Sequence, residues 1–149
     1  MIGDLGFRVA ELERRLANVL RRGVIASTDA GAARSRVQSG DLLTGPLPWI
    51  TTRAGGDRTW WAPEPGEAVL LLCPEGDPAL GVILPAIYTA AAPAPAASVD
   101  VHETVHGDGS RVTIDRAAGR VVVDLPGDLV VRVTGTIRVD AAALRLLEG

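Results

Sequence analysis

The amino-acid sequence predicts a mainly β protein built in series: an N-terminal helix, a small closed β-barrel, and an intertwined triple-stranded β-helix that only a homotrimer completes. Three observations carry this. Residues 2–19 place apolar side chains at helical spacing, residues 24–88 break into short strand-like runs separated by Gly, Pro and Asp, and residues 99–149 alternate apolar and polar residues almost throughout. Changes of pattern set the boundaries: helix 1–22, barrel 23–88, linker 89–98 and shaft 99–149.

In the first segment, Ile2, Leu5, Val9, Leu12, Leu16 and Val19 follow a 3-4-3-4-3 spacing, a heptad seam flanked by Arg and Glu. Gly23 is placed to end the helix in a left-handed cap. Two arrangements satisfy such a seam. The helix lies along its own domain, or helices from several copies form a short bundle, with fewer than the about three to four heptads of a self-sufficient coiled coil.

Short apolar runs at 24–26, 33–37, 68–72 and 80–84 read as strands, and no helical pattern interrupts them. Five or so short strands over roughly 65 residues suit a barrel of the OB type, which closes its own edges. The segment TAAAPAPAAS that follows cannot build a core and is expected to stay extended. Cys73, the single cysteine, stands in the apolar run VLLLCP and is expected to be a buried thiol without a disulfide partner.

Composition removes several function classes. At 149 residues the chain is long enough to bury a core, and it has no uninterrupted apolar run of the about 18 residues that a membrane span requires. The N-terminus lacks the basic, apolar, small-residue order of a signal peptide, so synthesis in the cytosol is expected. Net charge is −3, and all 15 basic residues are arginines scattered among acids rather than gathered into a stripe. That distribution opposes a single-stranded nucleic-acid-binding OB module, whose groove needs clustered positive charge interleaved with aromatic rings.

Residues 102–106, His-Glu-Thr-Val-His, match the H-E-x-x-H pattern of zinc metalloproteases. The pattern works only on a helix, where both histidines ligate Zn²⁺ from one face and the Glu polarises the bound water. Here Val99, Val101, Glu103 and Val105 continue a period-two alternation, and Gly107-Asp108-Gly109 breaks any helix immediately afterwards. A strand is expected, with outward histidines. Residues four apart also share a face on a strand, so threefold symmetry would gather histidine rings on an axis.

The last fifty residues carry four apolar pairs, Val112/Ile114, Val121/Val123, Val131/Val133 and Ile137/Val139, each a very short strand separated by turn signals. They have one apolar row and no aromatic residue, so alone they cannot offset chain entropy. These eight side chains are therefore expected to face the shared axis of a homotrimeric prism.

The stretch 44–84 resembles the OB-domain signature of the phage baseplate assembly protein V family, the central spike of contractile tails. Its carriers are Pro48-Trp49, Arg53-Ala54-Gly55, Trp60-Trp61, Gly66-Glu67-Ala68-Val69, Gly76-Asp77 and Gly81-Val82-Ile83-Leu84. The later stretch DGSRVTIDRAAGRVVVD is similar to the entry into that family's three-stranded β-helix. The resemblance implies a trimeric needle that punctures a host envelope, with OB domains as a collar at the baseplate hub, next to hub and tail-tube proteins. It also implies residence in a virion or tail-like particle assembled in a bacterial cytoplasm. Well-known members end in an apex domain with a His-x-His iron site, and no histidine follows His106 here. That metal is not carried over; a separate tip-capping protein or a shortened chain is expected instead.

Three tryptophans, Trp49, Trp60 and Trp61, are expected to pack in the core or collar rather than stack a ligand. No catalytic residue, cofactor or metal site is expected, and no nucleic-acid partner. A spike-like module of a related secretion machine shares this architecture and differs in its partners.

Overall fold

The computed structural model describes residues 2–145, Ile2 through its backbone alone, and its residues fall into two compact units that divide between Ala94 and Pro95. In the first unit, helix α1 spans Ile2–Val19. One flank is tied by Glu11, which accepts from Arg14 at 2.8 Å and Arg15 at 2.7 Å, the i,i+3 and i,i+4 spacings that a helix brings together. The helix ends where the Val19 carbonyl accepts from the Cys73 amide at 2.8 Å, and the chain passes directly into a strand.

That transition corrects the expected cap. Gly23 lies inside strand β1 (Leu20–Asp29), opposite Val69. Its glycine identity answers a close approach, because a Cβ there would overlap the Val37 side chain.

Strands β2 (Arg34–Ser39), β3 (Leu42–Leu43), β4 (Ala68–Leu72) and β5 (Val82–Ile87) join β1 in an antiparallel sheet of order β3-β2-β1-β4-β5. Period-two alternation puts Val37, Val69 and Leu71 inside, where they meet Ile25, Leu47, Cys73 and Ile83. A sheet of this order would leave two open edges. Irregular residues 47–50 close the gap: Leu47 exchanges two backbone hydrogen bonds with Ser35 on β2, while the Ile83 amide donates to Pro48 and the Ile50 amide donates to Ile83 on β5. The barrel is sealed by a segment that is not itself a regular strand.

Two short 3₁₀ turns, Pro74–Gly76 and Pro78–Leu80, connect β4 to β5. Asp77 caps the second by accepting from the Ala79 amide at 2.9 Å. Linker residues are not uniformly extended, because the Thr89 amide donates to Ala92 and the Thr89 hydroxyl accepts in return from the Ala92 amide, forming a local turn. Among the described residues no helix is long and apolar enough to cross a membrane.

The second unit is an antiparallel meander of β6 (Val101–Val105), β7 (Arg111–Asp115) and β8 (Arg120–Asp124). Asp108 orders the first turn by accepting from both the amide and the hydroxyl of Ser110, at 2.9 Å each. The same two bonds hold its carboxyl below the usual carboxylate range. Asp115 accepts from the Ala118 amide in the second turn. Residues 125–145 contain no strand among those described, which differs from the expected short strands at Val131/Val133 and Ile137/Val139. The physical reason is that a strand needs a neighbour for its amides and carbonyls, and this single chain supplies none there.

Candidate assembly surfaces

Register decides which side chains share a face in the second unit. Val112 is opposite Thr104 on one side and Val123 on the other, and Ile114 is likewise flanked by His102 and Val121. One face therefore carries two cross-strand rows, Thr104–Val112–Val123 and His102–Ile114–Val121. The reverse face is mixed: its rows are Val101–Asp115–Arg120, Glu103–Thr113–Val122 and Val105–Arg111–Asp124, so it carries all the charged side chains of the sheet beside three valines. Glu103 is held there by the Thr113 hydroxyl at 2.8 Å and by Arg111 at 3.6 Å, with only 8 % of its side chain exposed.

The first face carries no charged carboxylate or guanidinium, and its four apolar side chains have nothing over them. Val112, Ile114, Val121 and Val123 are 40, 42, 64 and 49 % exposed. Removing a half-exposed Val or Ile wholly from water contributes about 1 kcal/mol. Four per chain are a substantial drive toward association. The structure thus brings together the first four of the eight residues read as axial. Val131, Val133, Ile137 and Val139 stand in the strandless segment, each more than half exposed, and are not assembled with the others within one chain. Leu129 and Val130, missed in the sequence reading because no alternation marks them, are equally exposed.

Residues 102–105 lie in β6, and the His106 amide donates to Ser110 as the strand ends. The helical face that a zinc protease builds from H-E-x-x-H is not formed. Among the described residues there is also no group of three or more His, Cys, Asp and Glu side chains placed to hold a metal.

In the first unit, Cys73 is 1 % exposed, and burial pushes its thiol up, which lowers its reactivity. Trp49 packs against the barrel core and meets Trp60 at 5.5 Å with a 59° tilt. Beyond that contact Trp60 and Trp61 are 63 and 64 % exposed, so of the three only Trp49 belongs to the core. The heptad seam of α1 is also uncovered, with Leu5, Leu12 and Leu16 all more than 60 % exposed. A helix lying on its own domain through that seam is thereby excluded.

A closed five-stranded antiparallel barrel preceded by a helix defines an OB-type protein. Residues 21–88 match the family described as the type VI secretion system/phage-baseplate injector OB domain. The chain is also 40 % identical over 115 residues to the spike protein of Escherichia phage P2, an alignment covering 77 % of this chain and 54 % of that protein. The chain belongs to the baseplate spike family. It spans about half the length of the curated relative it matches.

Proposed function

We propose that this chain is the central spike of a contractile phage tail, a homotrimer whose OB barrels form a collar at the baseplate hub. Its C-terminal segments intertwine into a β-helical needle that punctures the host envelope. The single observation that carries the reading is the uncovered group Val112, Ile114, Val121 and Val123 on the sheet face that is free of Arg, Asp and Glu. In a trimer each copy presents that group to a shared axis, and residues 125–145 gain the ladder partners they lack alone. Val131, Val133, Ile137 and Val139 then continue the axial row.

The mechanism is mechanical. Contraction drives the needle, and an interwound shaft spreads load over many backbone hydrogen bonds while its apolar row stays out of water. No catalytic step, metal or cofactor is assigned. Partners under this reading are two further copies, hub and tail-tube proteins, a separate tip-capping protein and, transiently, the host outer envelope; the particle is a virion. The matched domain family also includes type VI secretion injectors, whose module would share the trimer and differ in the hub it docks on.

Native mass spectrometry of the full chain tests the reading. A trimer is expected, and a well-folded monomer at micromolar concentration overturns it.

A further inference from the structure

The seam of α1 is both unoccupied and directed outward. Gly76 packs against the Arg15 main chain, and Arg14 and Arg15 border a small hollow with Glu75, Asp77 and Pro78, so this flank faces the barrel's loop. Leu5, Val9, Leu12, Leu16 and Val19 project from the other side and are 42–75 % exposed. The helix is about 27 Å long at the usual rise, and its base is anchored to the barrel without an intervening loop.

Charges around the seam divide into two groups. Glu11, Arg14 and Arg15 satisfy one another within the chain, whereas Arg8 and Glu13 have no partner among the described residues. With Val9 and Leu16 at a positions and Leu5, Leu12 and Val19 at d positions, Arg8 falls at g and Glu13 at the following e. In a parallel, in-register coil, g of one helix meets the next e of its neighbour. Arg8 of each copy then reaches Glu13 of another. An antiparallel pairing with Val9 against Leu12 would instead bring Arg8 toward Arg15, a like-charge contact, and leave Glu13 facing Gly6.

We propose that α1 is a self-recognition element: three copies join through this seam as a parallel, in-register bundle, locked by Arg8–Glu13 ion pairs between neighbours. The number three rests on the trimer read from the second unit, because the seam does not select it. Val9 with Leu12 favours two strands, and Leu16 with Val19 favours more. The same reading fixes direction, since helices packed around a threefold axis are necessarily parallel, whereas a twofold axis across the helices would set them antiparallel. At this length the coil depends on tethering by the rest of each chain, which supplies a high local concentration.

The test uses the full chain carrying Leu12→Cys, oxidised gently and compared with Phe7→Cys, whose position on the outer helix flank is 74 % exposed. Cys73 is buried and does not compete. Expected is rapid cross-linking at position 12, with one disulfide per trimer and the third copy's introduced thiol left free, at least tenfold faster than at position 7. Arg8→Glu and Glu13→Arg should each lower the melting temperature, and the double variant should recover it. Intact trimers in which position 12 cross-links no faster than position 7, with no recovery in the double variant, overturn the bundle and leave the trimer standing. A dimer that cross-links at position 12 keeps the seam and overturns the threefold reading. A monomer that stays reduced overturns both.

Discussion

Gly76 lies with its α-carbon against the main chain of Arg15, so close that a β-carbon would overlap the Arg15 carbonyl oxygen. Its φ of +72° is also one that glycine alone adopts freely. This contact, with the Cys73 amide on the Val19 carbonyl, fixes the angle at which α1 leaves the barrel.

Gly76→Ala should therefore lower stability by about 2 kcal/mol, from the left-handed backbone and the overlap together. At about 2–4 °C per kcal/mol for a chain of this size, the melting temperature should fall by at least about 4 °C. Gly45→Ala, where nothing stands within 4 Å, is the control and should change little. Equal melting temperatures for the two variants would show that the helix is not held through this contact.

Adjacent valines on β8 face opposite ways. Val123→Asn puts an unpartnered amide on the apolar face, at about 1–3 kcal/mol per copy, and should dissociate the trimer. Val122→Asn, on the reverse, charge-bearing face opposite Thr113, should leave the assembly intact. Mass in solution separates the two. Identical masses would mean that the wrong face has been assigned to the axis.

Within the second unit, Thr113→Val keeps the shape of the side chain but removes the hydroxyl that donates to nearly buried Glu103. Loss of a hydrogen bond to a charged group costs about 1.5–3 kcal/mol. Chemical denaturation should register that loss, and Glu103→Gln in the same background should recover part of it by removing the charge. A Thr113→Val variant as stable as the parent would show that solvent or Arg111 already satisfies the carboxylate.

Hydrogen bonds from the side chains of Arg14 and Arg15 hold the Glu11 carboxyl at about 2, below its ordinary 4.5. Because the folded value is depressed, the stabilising contribution is complete above about pH 5. It is lost as acid carries the solution from about 4.5 down through 2. The pair lies at the solvent surface, with both arginines more than half exposed, so screening keeps the effect on stability small and salt should erase it. Carboxyl NMR titration is the suitable measurement, and Arg14→Ala should move the Glu11 midpoint upward; an unchanged midpoint would remove the ion pair from the account of α1.

Deleting residues 95–149 should leave a soluble barrel, since every buried apolar side chain of its core lies between Ile25 and Ile83. Near-UV circular dichroism of Trp49 reports on that core. A collapsed signal would mean that the second unit stabilises the first.

By itself the sequence determined what repeats locally. Val112, Ile114, Val121 and Val123 were legible as one row because strand side chains alternate with a period of two, and the α1 seam because helical ones recur every three or four residues. Strand character at His102–Val105 followed from the same alternation. Tertiary structure alone decided what depends on contacts between distant residues. Gly23 sits beyond the last seam residue, and whether that position caps a helix or crosses a strand is decided by Val69 and Val37, which are far away in sequence. The closing segment 47–50 carries Pro48 and no alternation, and it becomes part of the barrel only because Ser35 and Ile83 supply its hydrogen-bond partners. Exposure of the α1 seam was equally hidden, since the same heptad is compatible with burial on the barrel or with association between copies. Gly76 settles which flank of the helix the barrel holds, and the seam is left to face outward.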